Sequence, residues 1–152
     1  MPAEYQFKTE WEFNADVARA WSVVLDLQQY PAWWQNFRRV RLLQGDGQSV
    51  GSRLECIVRG WLPCSLRYTL EVMTIERHRS ISLRSSGDLV GTGRWEFAEM
   101  ASRACRATYF WDVTTTNPLL NLVAPLIRPI LTRNHEQVMA NGYEALRPRV
   151  EA

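Results

Sequence analysis

The sequence predicts an α+β domain, with one curved antiparallel sheet of six or seven strands packed against a long C-terminal helix. Near the end of the chain, apolar residues recur at about the 3.6-residue period of a helix face. The members of this stripe are Leu120, Val123, Ile127, Leu131, Val138 and Leu146. Most of the preceding sequence alternates apolar and polar residues, which is typical of half-buried strands. One long helix against one sheet buries both apolar faces.

Length and composition indicate a single domain over residues 1–152. Hydrophobic residues make up 46% and charged residues 22% of the chain, which are ordinary values for a globular protein. The formal net charge is +2, and the basic residues, all arginine except Lys8, are scattered along the chain. Nucleic-acid binding requires a clustered basic face. We therefore expect no nucleic-acid partner.

The sequence carries no evident signal for export or membrane insertion. Its first residues, MPAEYQFK, do not resemble a signal peptide, and the most apolar run, 118–127, is too short to span a bilayer. Cys56, Cys64 and Cys105 are odd in number and lack the C-x-x-C spacing of zinc sites. We expect a cytoplasmic protein with reduced thiols, no integral membrane association, and neither metal nor cofactor.

The first strand and two helical segments follow from local patterning. Residues 4–13 alternate strictly between aromatic or threonine and charged or polar residues, which predicts a half-buried strand. Asn14 suits the N-cap of a helix with one apolar side that ends near residues 26–27. A second short helical piece, interrupted by Pro31, is expected over about residues 27–35.

About six further strands are predicted between residues 37 and 113, separated by turns. Glycines mark turns at Gly45-Asp46-Gly47 and at Gly87-Asp88. The first of these is not a dinucleotide-binding fingerprint, because its spacing is wrong and a strand rather than a helix follows. Consecutive strands with short connections form an antiparallel sheet.

Four prolines affect where the C-terminal helix is expected to begin, bend and end. Pro118 suits a helix start, where the missing N–H is harmless. Pro125 and Pro129 each remove an interior hydrogen bond, so we expect a short helical turn, a break or kink, and then a straight helix over about 127–146. Pro148 disfavours the helical conformation of the residue before it and should end the helix.

Several motifs occur in an order that is typical of one superfamily. They are Tyr30-Pro31-Ala32-Trp33-Trp34, Gly60-Trp61-Leu62-Pro63, Gly87-Asp88-Leu89-Val90-Gly91-Thr92-Gly93-Arg94-Trp95 and Asn134-His135. Together with the element order, they resemble the helix-grip fold of the START-like superfamily, which includes the polyketide cyclase/dehydrase families, and in particular a bacterial subgroup. The resemblance implies a cavity between sheet and long helix that holds an apolar small molecule. It implies no catalytic set that transfers residue by residue.

Candidate ligand-binding residues come from the predicted inner faces and from one loop tip. They are Trp61, Tyr68, Trp95, Tyr109, Trp111, Ile127, Leu131, Asn134, His135 and Val138. Pockets for small ligands are mostly apolar with a few placed polar groups, as in this set. The alternative is that the aromatic residues fill an ordinary core and that Asn134 and His135 bond to backbone at its edge.

Two function classes stay open at this level. The first is binding of a hydrophobic or aromatic small molecule, lipid- or polyketide-like, by a monomer or homodimer. The second is a polyketide cyclase, aromatase or dehydratase in which His135 or Tyr109 acts as general acid or base. A chaperone or protein-interaction role is a third. The chain has no G-x-S-x-G nucleophile motif, and His78 lies in a polar run expected to form a solvated turn.

Overall fold

The computed structural model describes residues 4–60, 65–116 and 118–151; the side chains at 119–120, 123–128 and 130–131 lie outside this description. The elements, in chain order, are β1 Glu4–Phe13, α1 Val17–Val24, a 3₁₀ turn Leu27–Gln29, α2 Tyr30–Trp33, β2 Phe37–Gln44, β3 Arg53–Val58, β4 Leu66–Glu76, β5 Ser80–Gly87, β6 Leu89–Ala101, β7 Ala104–Thr115 and α3 Pro118–Glu151. This order confirms the predicted α+β class and the predicted succession of elements.

The seven strands form one antiparallel sheet in the order β1-β7-β6-β5-β4-β3-β2. Strands β2 to β7 each pair with their neighbours in sequence, whereas β1 pairs with β7. Strands β1 and β2 are therefore the two edges, and α1 and α2 connect them. Register shifts in the β2–β3, β4–β5 and β6–β7 pairs locally bend the strands.

Strand β1 shows how strict alternation sets the inner face. Tyr5, Trp11 and Phe13 are buried, and Phe7 and Thr9 are half-buried. The residues between them are exposed, and they are Glu4, Gln6, Lys8, Glu10 and Glu12. A one-residue slip would expose every aromatic ring in the strand, so the hydrophobic pattern fixes the register against β7.

Helix α3 is continuous from Pro118 to Glu151, so a break at Pro125 and Pro129 is wrong, whereas the alternative of a kink stays a prediction. The end expected before Pro148 is also wrong, because the helix continues through it. Each interior proline removes a single hydrogen bond. At Pro148, the contacts of the last turns outweigh that local loss.

The last turns of α3 are held by contacts that local sequence does not reveal. Leu146 and Val150 are 0% and 1% exposed, respectively. The Glu151 carboxylate accepts hydrogen bonds from the backbone N–H of Asn14 at 2.9 Å and from Nε of Arg147 at 3.0 Å. This anchoring explains why Pro148 does not end the helix.

Within the described ranges, no helix combines the length and apolar character needed to cross a membrane.

Trp34, just after α2, docks into a notch on α3. Its indole Nε1 donates a hydrogen bond of 2.8 Å to the carbonyl oxygen of Val138. A Cβ atom at Gly142 would lie 2.4 Å from Cε2 of the same ring, so only glycine leaves room for the indole. At the next position, the Tyr143 hydroxyl donates to the carbonyl of Glu12 at 2.7 Å. These contacts fix the half of α3 that carries the candidate polar residues.

Candidate functional site

An interior cavity of about 130 Å³ lies between the inner face of the sheet and α3. Seven of the residues selected from the sequence line it, and they are Tyr68, Trp95, Tyr109, Trp111, Asn134, His135 and Val138. Their role in binding stays a prediction. Trp61 lies outside the described residues, as do the side chains of Ile127 and Leu131.

Other lining residues were not selected from the sequence. They include Tyr5, Phe7, Tyr30, Trp34 and Thr115. Tyr5 and Phe7 lie on the inner face predicted for β1, so alternation alone could have identified them. Tyr30 and Trp34 face the cavity because α1 and α2 cross the open side of the sheet, a contact that no local pattern encodes.

An aromatic wall on β6 and β7 forms one side of the cavity. The rings of Trp95 and Tyr109, which are register partners, stack with centroids 4.5 Å apart and an interplanar angle of 28°. Tyr109 and Trp111 stack at 5.7 Å and 19°. A Cβ atom at Gly93 would lie 2.9 Å from Cε3 of Trp111, so this glycine makes space for the indole. The wall thus presents nearly parallel rings.

His135 faces this cavity from α3. Its imidazole stacks on the Phe7 ring with centroids 3.8 Å apart and an interplanar angle of 16°. The Nε2 atom is buried and has no hydrogen-bond partner among the described residues. Burial lowers the pKa of His135 from 6.5 to about 4, so the ring is neutral at pH 7. A neutral imidazole nitrogen can accept or donate one hydrogen bond, depending on the tautomer.

Several other polar groups of the lining are already engaged. The Tyr30 hydroxyl donates to the carbonyl oxygen of Val24, and the Trp34 indole donates to that of Val138. The Thr115 hydroxyl donates to the side-chain oxygen of Asn121. The His135 Nε2 atom therefore differs from these groups in having its hydrogen-bonding capacity unused within the described structure.

The cavity is electrically neutral. None of its described lining residues is acidic or basic apart from the neutral His135. Burial raises the pKa values of Tyr68 and Tyr109 well above the usual range, so both phenols stay protonated. The nearby thiol of Cys56 has its pKa raised to about 12, chiefly by burial, which leaves it unreactive at neutral pH.

Metal binding was not expected from the sequence, and the described residues hold no group of three His, Cys, Asp or Glu side chains that could ligate an ion. His78 lies between β4 and β5, in the turn predicted for it, with a positive φ of 63°. It contacts the edge of Trp21 with ring centroids 6.0 Å apart and does not line the cavity.

A polar cleft of about 650 Å³ lies outside the cavity, against the outer side of α3. It is lined by Asn36, Gly60, Arg133, Glu136, Gln137, Ala140 and Asn141. Three of these carboxamides are linked in a chain: Gln137 donates to Asn141 at 2.8 Å, and Asn141 donates to Asn36 at 3.1 Å. Asn36 in turn donates to the carbonyl of Arg59 at 3.0 Å. The chain ties α3 to the end of β3.

A family model described as polyketide cyclase / dehydrase and lipid transport matches residues 5–151. This chain belongs to that family. A search of curated proteins finds no match to the sequence. The match to the family confirms the resemblance recognised from the motifs.

Solved structures of this family's fold superpose closely on the chain. The Zhui aromatase/cyclase from Streptomyces sp. R1128 has a TM-score of 0.78 at 15% identity, covering 97% of this chain and 94% of the other. A START superfamily protein from Mycobacterium smegmatis has a TM-score of 0.74 at 18% identity, covering 95% and 96%. Norcoclaurine synthase from Thalictrum flavum has a TM-score of 0.65 at 15% identity, covering 98% and 87%. At these identities the likeness establishes the helix-grip fold.

Proposed function

We propose that this protein binds a hydrophobic or aromatic small molecule in the cavity between the sheet and α3. The observation that carries the proposal is the unused Nε2 atom of His135 in an otherwise apolar, aromatic-lined space. Binding sites for small molecules combine apolar walls with a few placed polar groups. The family's description, which includes lipid transport, supports the same conclusion.

The energetics of the unpartnered nitrogen support a ligand. A buried polar atom without a partner costs about 1–3 kcal/mol of stability. A ligand that supplies a hydrogen bond to His135 recovers much of that cost on binding. The stacking of the imidazole on Phe7 holds the ring in one orientation, so little rotamer freedom is lost when the ligand binds.

The alternative function is catalysis as a polyketide cyclase, aromatase or dehydratase. It is favoured by the presence of both His135 and Tyr109 in the cavity lining and by the family description. In this role His135 would accept a proton and Tyr109 would donate a hydrogen bond to a developing oxyanion.

The protonation equilibria weigh against efficient acid–base catalysis. A general base works best with a pKa near the working pH. The pKa of His135 is about 4, and the pKa of Tyr109 is raised well above its usual range by burial. The first is a weak base at pH 7 and the second a weak acid. Among the described residues, Nε2 of His135 also forms no hydrogen bond to a tyrosine hydroxyl, so binding is the better-supported function. The cytoplasmic location and the monomeric or homodimeric state stay predictions.

Native mass spectrometry of the purified protein tests the proposal. We expect a co-purifying hydrophobic compound that is released on denaturation. Val113→Phe places a larger side chain into the cavity lining, whereas Val90→Phe makes the same change at a residue of β6 that is 45% exposed. The Val113 variant should lose the compound and the Val90 variant should keep it. Equal occupancy in the two folded variants would contradict the cavity as the binding site.

A further inference from the structure

We infer that the ligand is a neutral, flat molecule of about one aromatic ring that carries a hydroxyl or carbonyl group for His135. This inference rests on the proposed function, because it names the class of molecule that the same cavity takes. The size, charge and shape of the cavity each contribute to the inference.

The size of the cavity sets an upper limit. An engineered protein cavity of about 150 Å³ holds one benzene molecule, whereas pockets for drug-sized ligands measure roughly 300–1,000 Å³. The volume of about 130 Å³ belongs to the first class. Packed interiors resist the insertion of extra bulk, so a long, folded poly-β-ketone chain would require the walls to move apart.

The electrostatic character of the cavity selects an uncharged ligand. A carboxylate or an ammonium group would lose its hydration on entry. Among the described lining residues no acidic or basic side chain supplies a counter-charge, and His135 is neutral. Burial also keeps Tyr68 and Tyr109 in their neutral forms.

The shape of the walls favours a planar ligand with one polar edge. Trp95 stacks on Tyr109 at 28° and Tyr109 on Trp111 at 19°, and His135 lies flat on Phe7. Because stacked rings cover one another's inner faces, a ligand meets their edges or an outer face, and an aromatic ring packs favourably edge-to-face or in an offset stack. The Nε2 atom of His135 then provides a hydrogen bond to a ring substituent.

Isothermal titration calorimetry at pH 7 with phenol, benzene, 2-naphthol and benzoate tests the inference. We expect phenol to bind about tenfold more tightly than benzene, which corresponds to one hydrogen bond. Phenol should also bind more tightly than 2-naphthol, and benzoate should show no heat of binding.

His135→Phe keeps the stacked ring but removes the nitrogen, so it should bring the affinity for phenol down to that for benzene. His78→Asn, which changes the other histidine and suits its positive φ, should match the unmodified protein.

Three results would overturn the inference while leaving the proposed function intact. Tighter binding of 2-naphthol than of phenol would show that the cavity accepts larger molecules. Binding of benzoate at the affinity of phenol would show that the cavity also accepts a charged ligand. Failure of all four probes, with a hydrophobic compound still co-purifying, would exclude the single-ring class.

Failure of all four probes, with no compound co-purifying, would remove the proposed function as well. A preference for phenol over benzene that survives in His135→Phe would exclude His135 as the polar contact. If that variant does not fold, His135→Leu replaces it, and if neither folds the four titrations of the unmodified protein decide the inference.

Discussion

At the scale of single residues, His135 couples the stability of the protein to pH. Its pKa is lowered from 6.5 to about 4 in the folded state, so between these values the unfolded chain binds a proton that the folded protein does not. The free energy of unfolding therefore rises with pH through this window. The contribution of His135 to stability is lost as pH falls from 6.5 to 4. The whole effect amounts to about 3 kcal/mol at most.

Urea unfolding at pH 7, 5.5 and 4 measures this dependence. His135→Gln cannot titrate in the window, and we expect it to remove most of the slope between pH 6.5 and 4. Glu151, whose pKa is lowered chiefly by the Asn14 backbone N–H, also loses stabilisation as pH falls through its folded pKa, but it does so in both proteins and cancels in the comparison. Identical slopes in the two proteins would contradict a buried, neutral His135.

The same substitution separates binding from catalysis. Glutamine retains hydrogen-bonding capacity, so we expect His135→Gln to fold and to bind the co-purifying compound with affinity lowered by at most about tenfold. If the protein is an enzyme that uses this imidazole as acid or base, turnover should fall by about a hundredfold or more while binding survives. An unfolded variant would show instead that His135 is a structural residue.

At the scale of secondary-structure elements, the Trp34–Gly142 contact positions α3. Gly142→Ala would gain about 1 kcal/mol in helix propensity but would place a Cβ atom 2.4 Å from the indole ring. We expect the overpacking, which typically costs about 1–3 kcal/mol, to outweigh this gain and leave a net loss of up to about 2 kcal/mol, measured by urea unfolding. Ala140→Gly, at an exposed position of the same helix, reports the propensity term alone. A stabilised Gly142→Ala variant would show that the notch has spare room.

The elements differ in how far local sequence determines them. Strand β1 was predicted residue by residue, because its alternation reflects one buried face and one exposed face. Helix α3 was predicted from its period, but its continuity was not, because contacts of Leu146, Val150 and Glu151 with distant parts of the chain offset the effect of Pro148. Most lining residues of β4, β6, β7 and α3 followed from face patterns. Tyr30 and Trp34 did not, because only the tertiary fold brings them to the cavity.

At the scale of the whole molecule, the sheet depends on α3 for its core. Val138, Met139, Leu146 and Val150 of this helix are all buried against it. Their removal would expose the apolar inner face of seven strands to water. We therefore expect that a chain ending at residue 116 loses cooperative urea unfolding and amide protection in the strands that carry Trp95 and Tyr109. A truncated chain that still unfolds in one cooperative transition would contradict this dependence.

The aromatic lining also has an optical consequence. Trp34, Trp95 and Trp111 all border the cavity, so its contents determine the polarity and quenching that three of the seven indoles experience. We expect phenol to alter the intrinsic emission of the protein, and Val113→Phe to abolish that change while Val90→Phe preserves it. The close stacking of Trp95 on Tyr109 should additionally give a strong near-ultraviolet circular dichroism band. The protein thus carries an internal spectroscopic reporter, and ligand exchange can be followed in real time without attaching a dye.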